Sequence, residues 1–163
     1  LTNLKENKID LGVVSTPFEK QGNLHAVQVR EIEDVFVAGR KFMQYKNHML
    51  DLQELERMPI IYLDGATSTR NYIDSFLTQN GVHIQPEFQL ATSDMIVQFA
   101  LRNLGVGCVV RDFAKEYLED GRLFELRFNR IIPKRHFSVV TNPQNPPQAA
   151  ARNLLNLMGI NVM

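Results

Sequence analysis

The chain has 163 residues, 44% of them apolar and 22% charged, the balance of a soluble globular protein able to bury roughly 70% of its unfolded surface in one or two small domains. Eighteen basic and eighteen acidic residues cancel, so the charge footprint that nucleic acid or an acidic membrane would require is absent. The single Cys108 excludes an internal disulfide framework and a cysteine-rich zinc site and fits a reducing, cytoplasmic compartment. No apolar run approaches the roughly 18 residues of a membrane span.

Residues 1–8 read as the last turns of a helix, and residues 9–14 as a short strand in which Gly12 suggests a close backbone approach. The strand ends at Ser15-Thr16-Pro17, where Pro17 disfavours helix at Thr16. A helix tail before a buried strand is an unusual opening for an α/β layer, so a preceding β-α unit is expected. Residues 24–32 alternate as a half-buried strand, Glu31, Glu33 and Asp34 read as a solvated acidic run, and residues 35–39 form another apolar strand. Residues 41–47 are polar and loop-like, and Leu52 with Leu55 suggests a short helix before Pro59.

Residues 59–81, PIIYLDGATSTRNYIDSFLTQNG, organise the chain. The apolar run Ile60-Ile61-Tyr62-Leu63 gives way to a turn at Asp64-Gly65 and the hydroxyl cluster Thr67-Ser68-Thr69. Tyr72, Ile73, Phe76 and Leu77 then share one helical face, closed by Gly81 at C′. A buried strand leading through hydroxyls into a helix N-terminus suits a small anion, because backbone N–H groups and the helix dipole point there. The plainer reading is that one of the hydroxyls caps the helix.

Pro86 makes residues 82–90 a connector or an edge strand. Thr92-Ser93 caps a helix over 94–103 with Met95, Ile96, Phe99 and Ala100 inward and Gly105 at C′, followed by the buried strand 106–110. Asp112 is expected to cap a short helix to Leu118, stopped by Gly121. Residues 123–128 alternate as an exposed strand, residues 135–141 form another, and Ala150, Leu154, Leu157 and Met158 form the inner stripe of a last helix that starts near Pro147. The order β, β, β, α, β, α, β, (α), β, β, α predicts an α/β protein without internal repeats.

Catalytic motifs are absent: there is no Walker loop, no G-x-G-x-x-G and no G-x-S-x-G. His25, His48, His83 and His136 lie in separate elements, so no metal site and no cofactor are expected. Cys108 reads as a small buried hydrophobe, and Met95, Met158 and Met163 as packing. Arg70, Arg102 and Arg111 default to the surface, Arg70 being notable because it adjoins the hydroxyl turn. What remains are polar turns without a base or a nucleophile, which suits binding better than catalysis.

These residues resemble a known family. IDLGVV after a helix tail, the strand VFVAG, the D-L-x-x-L helix, PIIYLDGATSTR, ATSDMIVQFALRNLGVGCVV, and GRLFELRF followed by RHFSVVTN are similar to the effector-binding domain of LysR-type transcriptional regulators. The resemblance implies a two-subdomain, type II periplasmic-binding-protein-like α/β fold with crossover strands: subdomain I over 1–34 and 134–163, subdomain II over 35–133. It implies a small, anionic effector in the cleft between subdomains, contacted by Ser15 and Thr16 of subdomain I and by Asp64, Gly65, Thr67, Ser68 and Thr69 of subdomain II. Thr92 and Ser93 would approach from the next helix start. The family's winged helix-turn-helix, its linker helix and its first β-α unit are not in this sequence. DNA would be a partner only through that N-terminal domain, and a homodimer or homotetramer is implied. A solute-binding protein of a transport system shares the same two-lobe physics, and so would an enzyme on this scaffold, which needs a perturbed titratable group in the cleft.

Overall fold

The computed structural model describes residues 1–19, 22–65 and 67–160. The predicted Met163 packing residue lies outside them. The chain divides into two compact units, Leu1–Glu31 with Arg135–Met163, and Ile32–Lys134.

In the first unit the helix α1 (Thr2–Lys5) precedes β1 (Leu11–Ser15) and β2 (His25–Ile32), and the chain returns as β10 (Arg135–Thr141) and α5 (Ala149–Leu157). The strand order is β1-β10-β2, with β1 antiparallel to β10 and Val13 opposite Val139. Val140 packs with Leu4 and Leu24 on one side of the sheet, and Val139 with Leu155 and Ile160 on the other. The expected close approach at Gly12 is not there, because nothing lies within 4 Å of where a Cβ would sit; β1 is an edge strand. The predicted inner stripe of α5 is also corrected. Leu155 is buried, whereas Leu154, Leu157 and Met158 are exposed and Ala150 points outward. Both registers fit a helical period; Gly159 in the left-handed region turns the chain so that the Ile160 N–H donates to the Leu155 carbonyl at 2.9 Å, and both residues dock against Val139.

The second unit is built on a five-stranded sheet of order β6-β5-β7-β3-β8. Its strands are β3 (Asp34–Ala38), β5 (Ile60–Leu63), β6 (Pro86–Leu90), β7 (Val106–Val110) and β8 (Phe124–Glu125), and its helices are α2 (Ser68–Gln79), α3 (Ser93–Leu101) and α4 (Arg111–Glu119). β6, β5 and β7 run parallel, while β3 is antiparallel to both β7 and β8. Alternate residues of β5 feed opposite faces: Ile60 and Tyr62 pack with Ile73 and Leu77 of α2, and Ile61 and Leu63 with Ile96, Val97 and Ala100 of α3. Helices cover both faces, which is why β5 and β7 read as unbroken apolar runs. Pro86 opens β6 at the sheet edge, where its missing N–H costs no ladder bond.

Several expectations change in detail. The supposed loop at 41–47 contains a 3₁₀ turn, Arg40–Tyr45, around buried Phe42, and Leu52–Arg57 is 3₁₀ as well. The expected exposed strand at 123–128 is two short pieces: β8 pairs with β3, and β9 (Arg127–Phe128) pairs with β4 (Met49–Leu50), with Leu123, Phe124 and Leu126 buried. Asn103 is the C′ residue of α3, where its positive φ lets the Leu104 N–H reach the Phe99 carbonyl, so Gly105 does not hold that position. Gly105 is required for a different reason: a Cβ there would overlap the Pro59 carbonyl oxygen. Asp112 lies in the first turn of α4 and does not cap it; Val110 holds the cap position. Met95 and Met158 are exposed and not packing residues, and Asp34 is buried within the acidic run expected to be solvated.

Candidate functional site

The three parallel strands each end at a helix start: β5 leads to α2, β6 to α3 and β7 to α4. The first two turns are neighbours, since the Asp64 N–H donates to the Leu90 carbonyl at 2.8 Å. This is the carboxyl edge of a parallel sheet, where helix N-termini converge and ligands bind. Asp64, Gly65, Thr67 and Ser68 are exposed and Thr69 half-buried, with Gly65 at φ +68° allowing the chain to reverse. Thr92 and Ser93 stand at the start of α3. The structure therefore gathers seven of the predicted site residues on one edge of the second unit. Ser15 and Thr16 belong to the first unit, where Ser15 is buried and Thr16 bonds twice to His136, giving its N–H and accepting from the His136 N–H, each at 2.8 Å.

Capping and anion recognition share residues here. Thr67 Oγ1 accepts from the Arg70 N–H at 3.1 Å and Thr92 Oγ1 from the Met95 N–H at 3.3 Å, so both threonines are N-caps. A hydroxyl keeps its proton to donate while its oxygen accepts, so capping leaves each threonine able to serve a ligand acceptor.

Beneath the turn lies a group that the sequence only hinted at. Arg70 is not a surface residue: its side chain is 18% exposed and folds back under the turn. Its Nε donates to Asp74 Oδ2 at 2.8 Å, its Nη1 donates to the Leu63 carbonyl at 2.6 Å, and its guanidinium lies 4.1 Å from the centre of the Tyr62 ring. Arg70 thereby ties the last carbonyl of β5 to the first turns of α2 and places positive charge behind the hydroxyls. The available signal was its position: a cation in a helix's first turn opposes the dipole, so something else must hold it.

Burial, above all, holds the Tyr62 phenol well above its ordinary value, with the nearby Cys108 and Asp74 acting in the same direction and Arg70 against. The folded state thus keeps a neutral phenol. Its contribution to stability is complete below about pH 10, the ordinary tyrosine value, and is lost as the pH rises above it. The denaturation midpoint is expected to fall on going from about pH 9 to pH 11, and Tyr62→Phe to fall less over the same range. Equal slopes for the two proteins would refute this.

Among the described residues, no group of three or more His, Cys, Asp or Glu is placed to hold a metal ion, and no helix is long and apolar enough to cross a membrane.

The family model described as LysR substrate binding domain matches residues 1–160. The chain belongs to that family. A probable RuBisCO transcriptional regulator of Cyanophora paradoxa is 31% identical over 156 residues, covering 92% of this chain and 48% of the relative. Another, from Emiliania huxleyi, is 24% identical over 160 residues, covering 93% and 51%. This LysR-family chain thus spans about half the length of the curated relatives it matches. Among solved structures, the Synechocystis PCC6803 CcmR regulatory domain in complex with 2-PG superposes with a TM-score of 0.83 at 16% identity, over 96% of this chain and 75% of that one. The effector-binding domain of QuiR in complex with shikimate gives a TM-score of 0.78 at 16% identity, over 96% and 73%. The α/β, two-subdomain periplasmic-binding-protein-like class expected from the sequence is the fold of these LysR domains.

Proposed function

We propose that this chain is the effector-sensing part of a LysR-type transcription regulator, and that its effector is a small organic anion. The observation that carries this reading is the pair of capped helix starts, α2 and α3, side by side at the carboxyl ends of β5 and β6, with the Arg70 charge behind them. Helix dipoles, backbone N–H groups and hydroxyls recognise a carboxylate or phosphate without doing chemistry on it, so a sensor is favoured over an enzyme. We assign effector contact to Asp64, Gly65, Thr67, Ser68, Thr69, Thr92 and Ser93, and, from the first unit, to Ser15 and Thr16. The ligands of the CcmR and QuiR domains, 2-PG and shikimate, support a small polar effector, and membership of a regulator family favours this role over transport. The working protein is proposed to be a cytoplasmic homodimer or homotetramer, touching DNA through another part of a regulator as long as its relatives. Effector binding need shift the balance of conformations by only about 1–3 kcal/mol to be read out.

Calorimetric titration with 2-PG and with shikimate tests the site. At least one is expected to bind saturably, and joint Thr67→Ala and Ser68→Ala replacement to weaken it about tenfold while the fold loses only about 1 kcal/mol from the lost cap. Binding that ignores the substitutions would refute the assignment, and failure of both ligands to bind would count against the anion reading.

A further inference from the structure

A cavity on the second unit is lined by residues that include none of the hydroxyl turns. It occurs where the chain leaves one sheet for another: β8 pairs with β3, Leu126 donates its N–H to the Phe36 carbonyl, and β9 then pairs with β4. The strand switch leaves a space of about 350 Å³ walled by Phe36, Leu126, Phe128 and Ile132. That volume is within the ≈ 300–1,000 Å³ range of small-molecule sites. Phe36 and Phe128 pack edge to face at 5.6 Å between ring centres, which gives the cavity a rigid aromatic wall. Met49 and Ile131, also in its lining, are 69% and 85% exposed, an apolar margin that water covers poorly.

Three acids and three cations line this space, so its formal charge is balanced, but the acids are already engaged. Of the acids in the lining, Glu33 pairs with Lys134 at 2.6 Å, Glu125 pairs with Arg111 at 2.6 Å, and Asp34 is buried and bonded. Arg127 and Arg130 line the same cavity with no ion-pair partner among the described residues. Two uncommitted guanidinium groups beside an aromatic wall match one chemistry: an anionic head of carboxylate or phosphate type, gripped by forked N–H donors, on an apolar body. We propose that this cavity is a second ligand site, separate from the hydroxyl turns, for a small amphipathic organic anion held by Arg127 and Arg130 against Phe36 and Phe128. None of the residues assigned to the effector lines it.

Phenyl phosphate is a suitable probe, with phenol as its uncharged counterpart, in calorimetric titrations of the intact chain. At least one saturable site that survives Thr67→Ala with Ser68→Ala is expected, with phenol binding to it at least about tenfold more weakly and affinity falling as salt rises. Arg127→Gln with Arg130→Gln is expected to weaken phenyl phosphate at least about tenfold with the melting temperature preserved, both side chains being exposed. Thr67→Ala with Ser68→Ala is expected to leave it unchanged, which separates this site from the effector turn. Loss of binding in that second pair would move the probe to the turn and overturn the proposal while supporting the effector reading. Equal binding of phenol, indifference to the arginine substitutions, or no binding at millimolar probe would each overturn it. So would sedimentation showing that Ile131→Asp dissociates a dimer and that the probe binds only the monomer, since a second copy would then own this face.

Discussion

Replacing Arg70 by methionine is expected to destabilise the second unit by about 2 kcal/mol and to loosen the hydroxyl turn. The substitution keeps the aliphatic stem but removes the donors to Asp74 and to the Leu63 carbonyl. A charge-assisted bond of this kind contributes about 1.5–3 kcal/mol, and leaving a partly buried carbonyl without its donor has a similar cost. Against this, the first turn of α2 is relieved of an unfavourable cation, worth about 0.3–1 kcal/mol. The bond to the carbonyl outweighs the dipole. Chemical denaturation measures the loss, and a double-mutant cycle with Asp74→Asn measures how much of it passes through the ion pair. Because Asp74 is 43% exposed, the coupling should be a minor share, with most of the loss remaining in the Asp74→Asn background. The same Arg70 variant should bind the effector more weakly, since positive charge is lost and the turn is no longer tied to β5. A midpoint indistinguishable from that of the parent protein would show that Arg70 merely lies there.

Gly105→Ala should cost about 3 kcal/mol, at the upper end for an inserted methyl group, because what it meets is backbone. Pro59 lies opposite with its carbonyl already bonded to the Val106 N–H at 2.8 Å, at the point where β5 and β7 begin to pair. An added Cβ would meet the Pro59 carbonyl oxygen and, at 3.0 Å, Ile61 Cγ1. A flexible side chain could step aside; a strand edge fixed by a parallel partner cannot without breaking that pairing. Gly12→Ala is the internal control, as nothing lies within 4 Å of its new methyl. Its effect should stay within about 0.5 kcal/mol. Similar losses at the two positions would contradict this account.

How far each element was legible follows from the kind of information that set it. The β5-turn-α2 segment was readable because its causes are local: an apolar run, a glycine at positive φ, a threonine cap and a Gly81 stop lie within a few residues of one another. The same holds for α3 up to its last turn, where Asn103 took the left-handed position that Gly105 was expected to fill. In α5 the periodicity was present but allowed two apolar faces, and contact with Val139 selected the one bearing Leu155. Residues 123–128 alternate correctly for a strand, yet no local signal reveals that their two halves pair with strands in different sheets.

The sequence by itself determined the α/β class, the position of the hydroxyl turn and, through ordered short motifs, membership of the LysR substrate-binding-domain family. These rest on local propensity, capping chemistry and residue order, which every such chain carries in one dimension. Only the tertiary structure decided that the turn before Thr92 and Ser93 neighbours the one that begins at Asp64, because parallel pairing of β5 with β6 brings together turns some 25 residues apart in the chain. Only it placed Arg70 inward against Tyr62 and Leu63, and only it opened the cavity beside Arg127 and Arg130. Burial and charge pairing depend on what lies across the sheet, and distance along the chain does not encode them.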